Sequence, residues 1–212
     1  MVVVLGSGGH TAEMMSLLRN MNPTRYIHRT YIVSSGDNLS QDRAFDIETT
    51  IQSKYKQSSV SKTEDVDLVT GKWDVKVVPR ARKIHQPLKT TPFSSLWCLI
   101  CCMATLHQIS KTSIAAAFEY PDVIITNGPA TAVMVILASM VLKFFGLAPM
   151  HKMKIIYVES WARVKTLSLS GKYLLRMRVC DRFIVQWEEL ANKINGSGTR
   201  KKVEWIGGFL VE

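Results

Sequence analysis

The chain alternates short apolar runs with longer segments of helical periodicity, and this alternation constrains its fold more than any other feature. The runs are rich in valine and isoleucine and cover Val2–Leu5, Tyr26–Val33, Val75–Val78, Val123–Thr126, Ile155–Val158 and Phe183–Val185. Buried parallel strands joined by helical crossovers have this composition. We therefore predict an α/β fold with a doubly wound parallel sheet flanked by helices. The length of 212 residues favours a single domain, 1–212.

The first apolar run leads directly into a glycine-rich turn, Gly6–Gly9, which is followed by a helical pattern. After a parallel strand, such a turn points successive backbone N–H groups outward, and the helix adds the positive end of its dipole. We expect a phosphate or diphosphate to bind at Gly6, Ser7, Gly8, Gly9 and Thr11. The dinucleotide fingerprint is not met, because Thr11 occupies its last position. No Gly-Lys-Ser/Thr follows, as it would in a nucleoside triphosphate loop.

His10 ends this turn, at the point where the predicted helix begins. The positive end of the helix dipole favours a neutral imidazole, which serves as a general base or as a hydrogen-bond donor. The alternative is a histidine that only caps or packs against the turn. Both interpretations stay open at this point, and His10 is the first candidate catalytic residue.

Two further loops should meet the glycine turn at the carboxyl edge of the sheet, where open parallel sheets bind their ligands. Asn127, Gly128 and Pro129 follow one apolar run and favour a tight turn into a helix. Glu159 follows the next run, where a carboxylate accepts a proton, binds a sugar hydroxyl or simply pairs with Arg163. We expect Asn127 and Gly128 to line the phosphate site, and Glu159 is the second candidate catalytic residue.

Basic residues are concentrated after the third apolar run, at Arg80, Arg82, Lys83 and His85. The formal net charge of +10 favours an anionic partner such as phosphate, acidic lipid or nucleic acid. Arginine forks suit phosphate oxygens, so Arg80 and Arg82 are candidate phosphate contacts, with an ordinary solvated basic loop as the alternative. Because aromatic residues are not interleaved with these charges, we do not expect a nucleic acid partner.

Cysteines and acidic residues give no pattern of a metal or cofactor site. Three of the four cysteines lie in one apolar stretch, which favours a reducing environment over disulfide bonds. Cys98 and Cys101 form a CxxC without a second ligand pair at zinc spacing. Asp65 and Asp67 form a DxD inside the polar segment 54–72, which we interpret as a mobile surface insertion with a solvated acidic turn. We expect no metal and no cofactor.

Two segments are more apolar than a soluble surface requires. Ala130–Met150 carries a single charge, at Lys143, and we interpret it as a buried helix that follows a strand. Phe93–Leu106 is too short to cross a bilayer as a straight helix, and basic residues bracket it. A core helix and an interfacial helix beside anionic headgroups both remain open for it. The candidate membrane residues are Phe93, Leu96, Trp97 and Ile100.

Several short motifs, taken together, resemble one known family over nearly the whole chain. The motifs are LGSGGHTAEM, VPRARKIHQ, NGP, YVESWARV, LSLSGK and FIVQWEEL. They resemble the membrane-anchor subunit of the two-component UDP-N-acetylglucosamine transferase of dolichol-linked oligosaccharide synthesis, in its fungal form. That family is similar to the amino-terminal half of the bacterial lipid II synthase, a GT-B glycosyltransferase. The resemblance therefore implies a Rossmann-like domain that is the acceptor-side half of a split GT-B enzyme.

The resemblance implies a subunit that is not active alone. It would bind a catalytic, donor-binding glycosyltransferase subunit at the cytosolic face of the endoplasmic reticulum membrane, and present GlcNAc-pyrophosphoryl-dolichol to it. Transfer of the second N-acetylglucosamine from UDP-GlcNAc would be inverting and independent of metal. Carried onto this sequence, Gly6, Gly8 and Gly9 meet the acceptor diphosphate, and His10 removes a proton or contacts phosphate. Glu159 lies in a shared motif without a settled role.

The resemblance also bears on anchoring and assembly. Family members normally begin with a membrane helix that does not open this sequence, which makes Phe93–Leu106 the main membrane candidate. The carboxyl end, 205–212, resembles the tail that holds the catalytic subunit, and a strand completing the domain's own sheet is the competing interpretation. The candidate docking residues are Trp205, Phe209, Leu210 and Val211. Two competing functions remain: a pure membrane scaffold with no reacting group, and a stand-alone nucleotide-binding α/β protein.

Overall fold

A computed structural model describes residues 1–58, 70–82, 86–87, 89–111, 119–128, 130–196 and 201–207. Its strands are β1 Val2–Val4, β2 His28–Ser34, β3 Lys72–Val78, β4 Val123–Asn127, β5 Lys154–Val158, β6 Arg182–Val185 and β7 Glu204–Trp205. All of these strands pair in parallel in one sheet, in the order β3-β2-β1-β4-β5-β6-β7. The predicted α/β fold with a parallel sheet is confirmed.

The helices cover both faces of this sheet. They are α1 Gly9–Leu18, α2 Asn38–Ser58, α3 Thr91–Lys111, α4 Ala130–Phe144, α5 Leu169–Met177 and α6 Glu188–Asn195. Val3 and Leu5 point into the core under α1 and α2, whereas Val2 and Val4 point into the core under α3 and α4. The strand alternation therefore divides the helices into two layers.

The winding of the chain reverses at β1, which lies between β2 and β4. Val4 pairs with Ile32 of β2 on one side and with Thr126 of β4 on the other. The connections that leave β1 and β4 pass over opposite faces, and in open parallel sheets such a switch point leaves a crevice at the carboxyl edge. The glycine turn follows β1 directly and therefore lies at this crevice.

A buried ion pair fixes α2 against β2. The guanidinium of Arg29 donates to both carboxylate oxygens of Glu48 at 2.7 Å each, and the hydroxyl of Tyr31 donates to the same carboxylate at 2.6 Å. Arg29 also donates to the carbonyls of Tyr26 and Thr70. Burial raises the pKa of Tyr31, so its hydroxyl stays protonated and available as a donor. Loss of one partner would leave a buried charge uncompensated.

The segment 54–72, predicted as an insertion, is partly regular. Helix α2 continues to Ser58, and β3 begins at Lys72. The buried side of α2 is formed by Ala44, Ile47 and Ile51, upstream of the polar stretch, and the interpretation of the segment as an insertion stays a prediction. Residues 59–69, with the DxD motif, lie outside the described residues.

Helix α3 has a buried side, as expected of a core helix, and an exposed apolar side, as expected of an interfacial helix. Cys98, Cys102 and Leu106 recur every four residues and are buried against the sheet and α4. The predicted membrane residues are all exposed on the opposite side; they are Phe93, Leu96, Trp97 and Ile100. The helix is longer than the predicted Phe93–Leu106. Within the described residues, its span Thr91–Ser110 is the one helical segment long and apolar enough to cross a membrane.

The predicted buried helix Ala130–Met150 is confirmed only in its first part. Helix α4 is packed into the core through residues such as Val135 and Leu142, and it ends at Phe144. The large apolar side chains at the end of the segment are exposed, at Phe144, Phe145, Leu147 and Met150, whereas Ala148 is buried. The low charge of the segment therefore does not mean burial along its whole length.

The start of the predicted docking tail belongs to the sheet. Glu204 and Trp205 of β7 pair in parallel with Ile184 and Val185 of β6. The competing interpretation, a tail strand that completes the domain's own sheet, is thus correct for residues 204–205. The indole of Trp205 remains 43% exposed. The other docking candidates, Phe209, Leu210 and Val211, lie outside the described residues.

Candidate functional site

A cavity of about 180 Å³ lies at the carboxyl edge, over the ends of β2 and β1. The glycine turn forms one wall through Gly6 and Ser7, and the first turn of α4 forms another through Ala130 and Thr131. The predicted phosphate contacts Arg80 and Arg82 line the same cavity, together with Ser34, which donates to Thr131 at 3.0 Å. The structure therefore brings the glycine turn and both arginines together. The predicted contacts Gly8 and Gly9 are exposed in the turn outside this lining.

The cavity has a basic lining. Arg80 donates to the carbonyls of Ser35 and Gly36, and Arg82 donates to that of Gln86, so local contacts orient both side chains. Within the described part of the chain, neither arginine forms an ion pair with a carboxylate. Two helices, α1 and α4, begin here and add the positive ends of their dipoles. Two guanidinium groups without an ion pair among the described residues therefore line this cavity.

The turn presents unused backbone donors. Gly8 has a φ of 65°, and its carbonyl accepts the first helical hydrogen bonds, from the N–H groups of Thr11 and Ala12. No described residue accepts from the N–H groups of Gly8, Gly9 or His10. Free amides at a helix start are a common feature of anion sites, and anion binding at this turn stays a prediction.

Thr11, predicted to contact phosphate, is directed into the protein instead. Its hydroxyl donates to the carbonyl of Gly6 and lies 2.7 Å from the hydroxyl of Ser40. Ser40 in turn donates to Asp37 at 2.8 Å, at the start of α2. The Thr11 side chain is therefore occupied in holding the turn against α2, and its contribution to an anion site is indirect.

His10 lies beside the glycine turn, on the side toward β5. Its side chain is 31% exposed, but its Nδ1 atom is buried and has no hydrogen-bond partner among the described residues. The exposed part of the ring therefore belongs to its other atoms. Gly128, at the end of β4, has a φ of 85°, and a Cβ at this position would lie 2.7 Å from Cγ of His10. Only glycine leaves room for the ring, which explains the close approach of the two loops.

A carboxylate that was not among the predicted site residues lies next to His10. Oε2 of Glu13 lies 3.8 Å from Nδ1 of His10, one helical turn away on α1. The hydroxyl of Ser160 donates to Oε1 of Glu13 at 2.8 Å, and the amide of Asn127 donates to Oε2 at 3.3 Å. Burial acts to raise the pKa of Glu13, but His10 and Ser160 outweigh it, so this pKa lies below its ordinary value of 4.5. The i, i+3 spacing was a usable signal for Glu13, whereas nothing near it in sequence indicated Ser160.

Asn127, predicted to line the phosphate site, is fully buried. Its side-chain amide donates to the backbone carbonyl of His10 at 2.8 Å as well as to Glu13. Asn127 therefore holds the start of α1 against the end of β4. The structure assigns it a supporting position behind His10 and Gly128.

Glu159 lies at the predicted edge but faces the start of α5. Its side chain is 1% exposed, and it accepts hydrogen bonds from the backbone N–H and the hydroxyl of Ser168, each at 3.0 Å. Ser168 is the N-cap of α5 and accepts from the N–H of Gly171. Among the described residues, Glu159 forms no ion pair with Arg163, the alternative that the sequence suggested. The observed contacts make Glu159 part of a helix cap.

A larger cavity, of about 420 Å³, lies at the opposite edge of the sheet, near the amino ends of β1, β2 and β3. It is lined by Met1, His28 and Lys72 among others. Open parallel sheets bind ligands at the carboxyl ends of their strands, and the glycine turn lies at that edge, away from the larger cavity. We therefore assign the site to the smaller cavity. Within the described residues, no cluster of His, Cys, Asp or Glu is arranged to hold a metal ion.

The fold and this candidate site define a Rossmann-like α/β protein with an arginine-lined cavity at its switch point. A family model described as "Oligosaccharide biosynthesis protein Alg14 like" matches residues 1–207. The chain belongs to this Alg14-like family of oligosaccharide biosynthesis proteins, which confirms the resemblance carried by the motifs.

Three relatives illustrate the similarity, and each is called a UDP-N-acetylglucosamine transferase subunit. The Aspergillus fumigatus protein is 41% identical, over 92% of this chain and 98% of its own length. The Schizosaccharomyces pombe protein is 38% identical, over 98% of this chain and 81% of its own. The Rattus norvegicus protein is 31% identical, over 91% and 77% respectively. No solved structure matches the chain.

Proposed function

We propose that this chain is the non-donor-binding subunit of a transferase that adds the second N-acetylglucosamine from UDP-GlcNAc to GlcNAc-pyrophosphoryl-dolichol. Its family and the subunit names of its relatives support a catalytic partner. The single sheet supports a donor site on that partner, because a complete GT-B enzyme has two Rossmann-like domains. In this proposal the chain recruits the partner to the cytosolic face of the endoplasmic reticulum membrane and presents the acceptor.

The observation that carries the proposal is the order of features along the carboxyl edge. The exposed apolar side of α3 comes first, and the hydroxyls of Ser94 and Ser95 near its start donate to the carbonyl of Ala81. Arg82 follows Ala81 and lines the cavity. His10 follows the glycine turn in the chain, and its ring lies against Gly128. The acceptor contains a lipid, a diphosphate and a sugar in the same order. Its polyprenyl chain would meet α3, its diphosphate the cavity and its sugar His10.

The chemistry needs one proton acceptor from this half. In the proposed step, the exposed side of the His10 ring takes the proton from the attacking hydroxyl of the acceptor sugar. The hydroxyl oxygen forms a bond to the anomeric carbon of the donor, the bond from that carbon to the UDP oxygen breaks, and UDP leaves with the electron pair. His10 is left as imidazolium. The charge of the acceptor diphosphate is held by Arg80, Arg82 and the free amides of the turn.

The test measures transfer from UDP-GlcNAc to a lipid-diphosphate GlcNAc, by the chain reconstituted with its donor-binding partner and by the partner alone. We expect transfer only with the chain present. An Arg80→Ala/Arg82→Ala double variant should raise the acceptor KM by about tenfold or more, because charge-assisted bonds to phosphate are lost. Arg43→Ala, an exposed arginine of α2, is the matched control. An unchanged acceptor KM in the double variant would contradict the assignment of the cavity.

The competing functions predict different results. A pure scaffold would keep full turnover when His10 is replaced by alanine and the pair stays assembled. A stand-alone nucleotide-binding protein would bind UDP or NAD tightly as the purified chain, which calorimetry would detect.

We also propose that residues 205–212 dock the partner. The exposed indole of Trp205 would form the start of this contact and the apolar residues 209–211 its continuation. Deletion of residues 209–212 should abolish co-purification with the partner while this domain stays folded. Normal co-purification of the truncated chain would refute the docking tail.

A further inference from the structure

Glu13 has no part in the step proposed above, although it lies beside the proposed base. We infer that Glu13 is a positioning residue that holds neutral His10 in the tautomer protonated at Nδ1, which leaves the lone pair on Nε2 for the sugar hydroxyl. The inference rests on the proposed function for the role of His10. The tautomer itself is measurable without any transfer reaction, so the two can fail separately.

The environment of Nδ1 carries the inference. This atom is buried and lacks a hydrogen-bond partner within the described residues, which is costly for a ring nitrogen in either protonation state. Oε2 of Glu13 lies 3.8 Å away. An ionised carboxylate only accepts hydrogen bonds, so it stabilises a proton on Nδ1 and repels a lone pair there. The partner of one ring nitrogen sets the state of the other, and Nε2 is then the unprotonated nitrogen.

The carboxylate cannot turn away from the ring without losing other contacts. Ser160 donates to Oε1 at 2.8 Å and Asn127 donates to Oε2 at 3.3 Å. Asn127 also donates to the backbone carbonyl of His10, so the backbone of His10 and the carboxylate of Glu13 share one anchor. These donors favour the ionised form of Glu13, in agreement with its lowered pKa.

The ring is confined from the other side. Gly128 lies against it so closely that a Cβ would come within 3.0 Å of Cγ, Cδ2 and Nδ1. Among the described residues, no second carboxylate pairs with this ring. The distance of 3.8 Å is longer than a hydrogen bond, and pairs of this kind are often long in the free enzyme and shorten in the substrate complex. The arrangement repeats the logic of the carboxylate that orients the histidine in a Ser-His-Asp triad.

The direct test is ¹⁵N NMR of the histidine-labelled chain, with the His10 signals assigned by their loss in His10→Asn. The spectra are compared at a pH where the imidazole is neutral, and there we expect the wild-type ring to carry its proton on Nδ1 and none on Nε2. In Glu13→Gln, which removes the charge at nearly constant size, we expect the Nδ1-protonated form to lose its dominance. Glu13→Asp keeps the charge and should restore it in part. A wild-type ring protonated at Nε2, or an unchanged tautomer in Glu13→Gln, would overturn the inference.

Kinetics of the reconstituted pair separate positioning from a structural role. Glu13→Gln should lower kcat by about 10²-fold while the acceptor KM changes by less than about threefold. The double variant with His10→Ala should be no slower than His10→Ala alone, because Glu13 acts only through His10. Additive losses would overturn the inference.

Two further results separate the inference from the proposed function and from misfolding. If His10→Ala alone leaves turnover unchanged, the proposed base is wrong, and the NMR result still decides the tautomer. If thermal unfolding shows that Glu13→Gln does not fold, Glu13→Asp is measured in both assays. Aspartate keeps the charge but is one methylene shorter, so its carboxylate lies farther from Nδ1. If the tautomer and kcat are both unchanged in Glu13→Asp, the inference is contradicted.

Discussion

The hydroxyl of Ser160 donates a 2.8 Å hydrogen bond to the carboxylate of Glu13, although 147 positions separate the two residues in the chain. The bond joins α1 to the loop after β5, and Asn127 of β4 donates to the same carboxylate. Three elements of the carboxyl edge are thereby tied together around His10. Because the three elements depend on one another, a substitution in any of them should disturb the geometry around His10, even where the substituted residue does not contact the proposed ligand.

The Glu13 carboxylate should make stability depend on pH. Its pKa in the folded protein lies below the ordinary value of 4.5, so the unfolded chain binds more protons at mildly acidic pH. Its contribution is therefore present in full above that value and is lost as the pH falls through the folded pKa. Urea unfolding between pH 3 and 7 should show less of this acid-induced loss in Glu13→Gln than in the wild-type chain. Asp46→Asn, at an exposed carboxylate of α2, is the control, and an unchanged pH profile in Glu13→Gln would contradict the prediction.

Gly128→Ala should lower both stability and turnover. A side chain at a φ of 85° is strained by about 1–2 kcal/mol, and its Cβ would push the His10 ring from its position. We expect kcat to fall by about tenfold or more. Gly146→Ala is the matched control, because this glycine has a φ of 69° and no atom within 4 Å of an added Cβ. Equal kcat values in the two variants would show that the contact with His10 is irrelevant.

Glu159→Gln should lower the stability of the protein more than it lowers turnover. The buried carboxylate of Glu159 accepts hydrogen bonds from Ser168 at the start of α5. In Glu159→Gln, the NH₂ group of the new side chain would face these donors of Ser168 without an acceptor. We expect the free energy of unfolding to fall by about 1–3 kcal/mol. Gly171→Ala should act in the same way, because its Cβ would meet Oε2 of Glu159 at 2.2 Å. Unchanged stability together with a large loss of kcat in Glu159→Gln would instead support a catalytic role.

Local patterns in the sequence were enough to predict the sheet and the glycine turn. Apolar runs mark buried parallel strands, and Met14 and Leu18 mark the buried side of α1. The first and fourth runs become neighbours only through the reversal at β1, which any doubly wound sheet requires. For this reason the meeting of Gly6 with Arg80 and Arg82 could be expected.

Side-chain direction could not be predicted in the same way. Thr11 and Glu159 lie where the sequence placed them, but each is drawn to a partner inside the protein, at Ser40 and Ser168. The choice between facing the crevice and facing the core depends on buried donors from distant segments, which no local period records. Ser160 was missed for the same reason.

The exposed side of α3 should bind membranes. Trp97 is 60% exposed on a helix whose opposite side is fixed in the core, so the double change Trp97→Asp/Ile100→Asp can be made without altering the packing. Each apolar side chain lost from the interface removes about 1.5–3 kcal/mol, and we expect vesicle binding to weaken by about tenfold or more. Sedimentation with anionic vesicles measures this. Leu39→Asp, at a 57% exposed position on the other face of the sheet, is the control, and equal binding of both variants would exclude α3 as the membrane contact.

The central claim is that this half of the enzyme supplies the proton acceptor through His10. Its most direct measurement is the single-turnover rate of transfer from UDP-GlcNAc to the lipid-diphosphate acceptor, by His10→Ala reconstituted with the donor-binding partner. We predict a rate about 10²–10⁴-fold below that of the wild-type pair, with assembly and acceptor binding retained. An unchanged rate in an intact pair would contradict the claim.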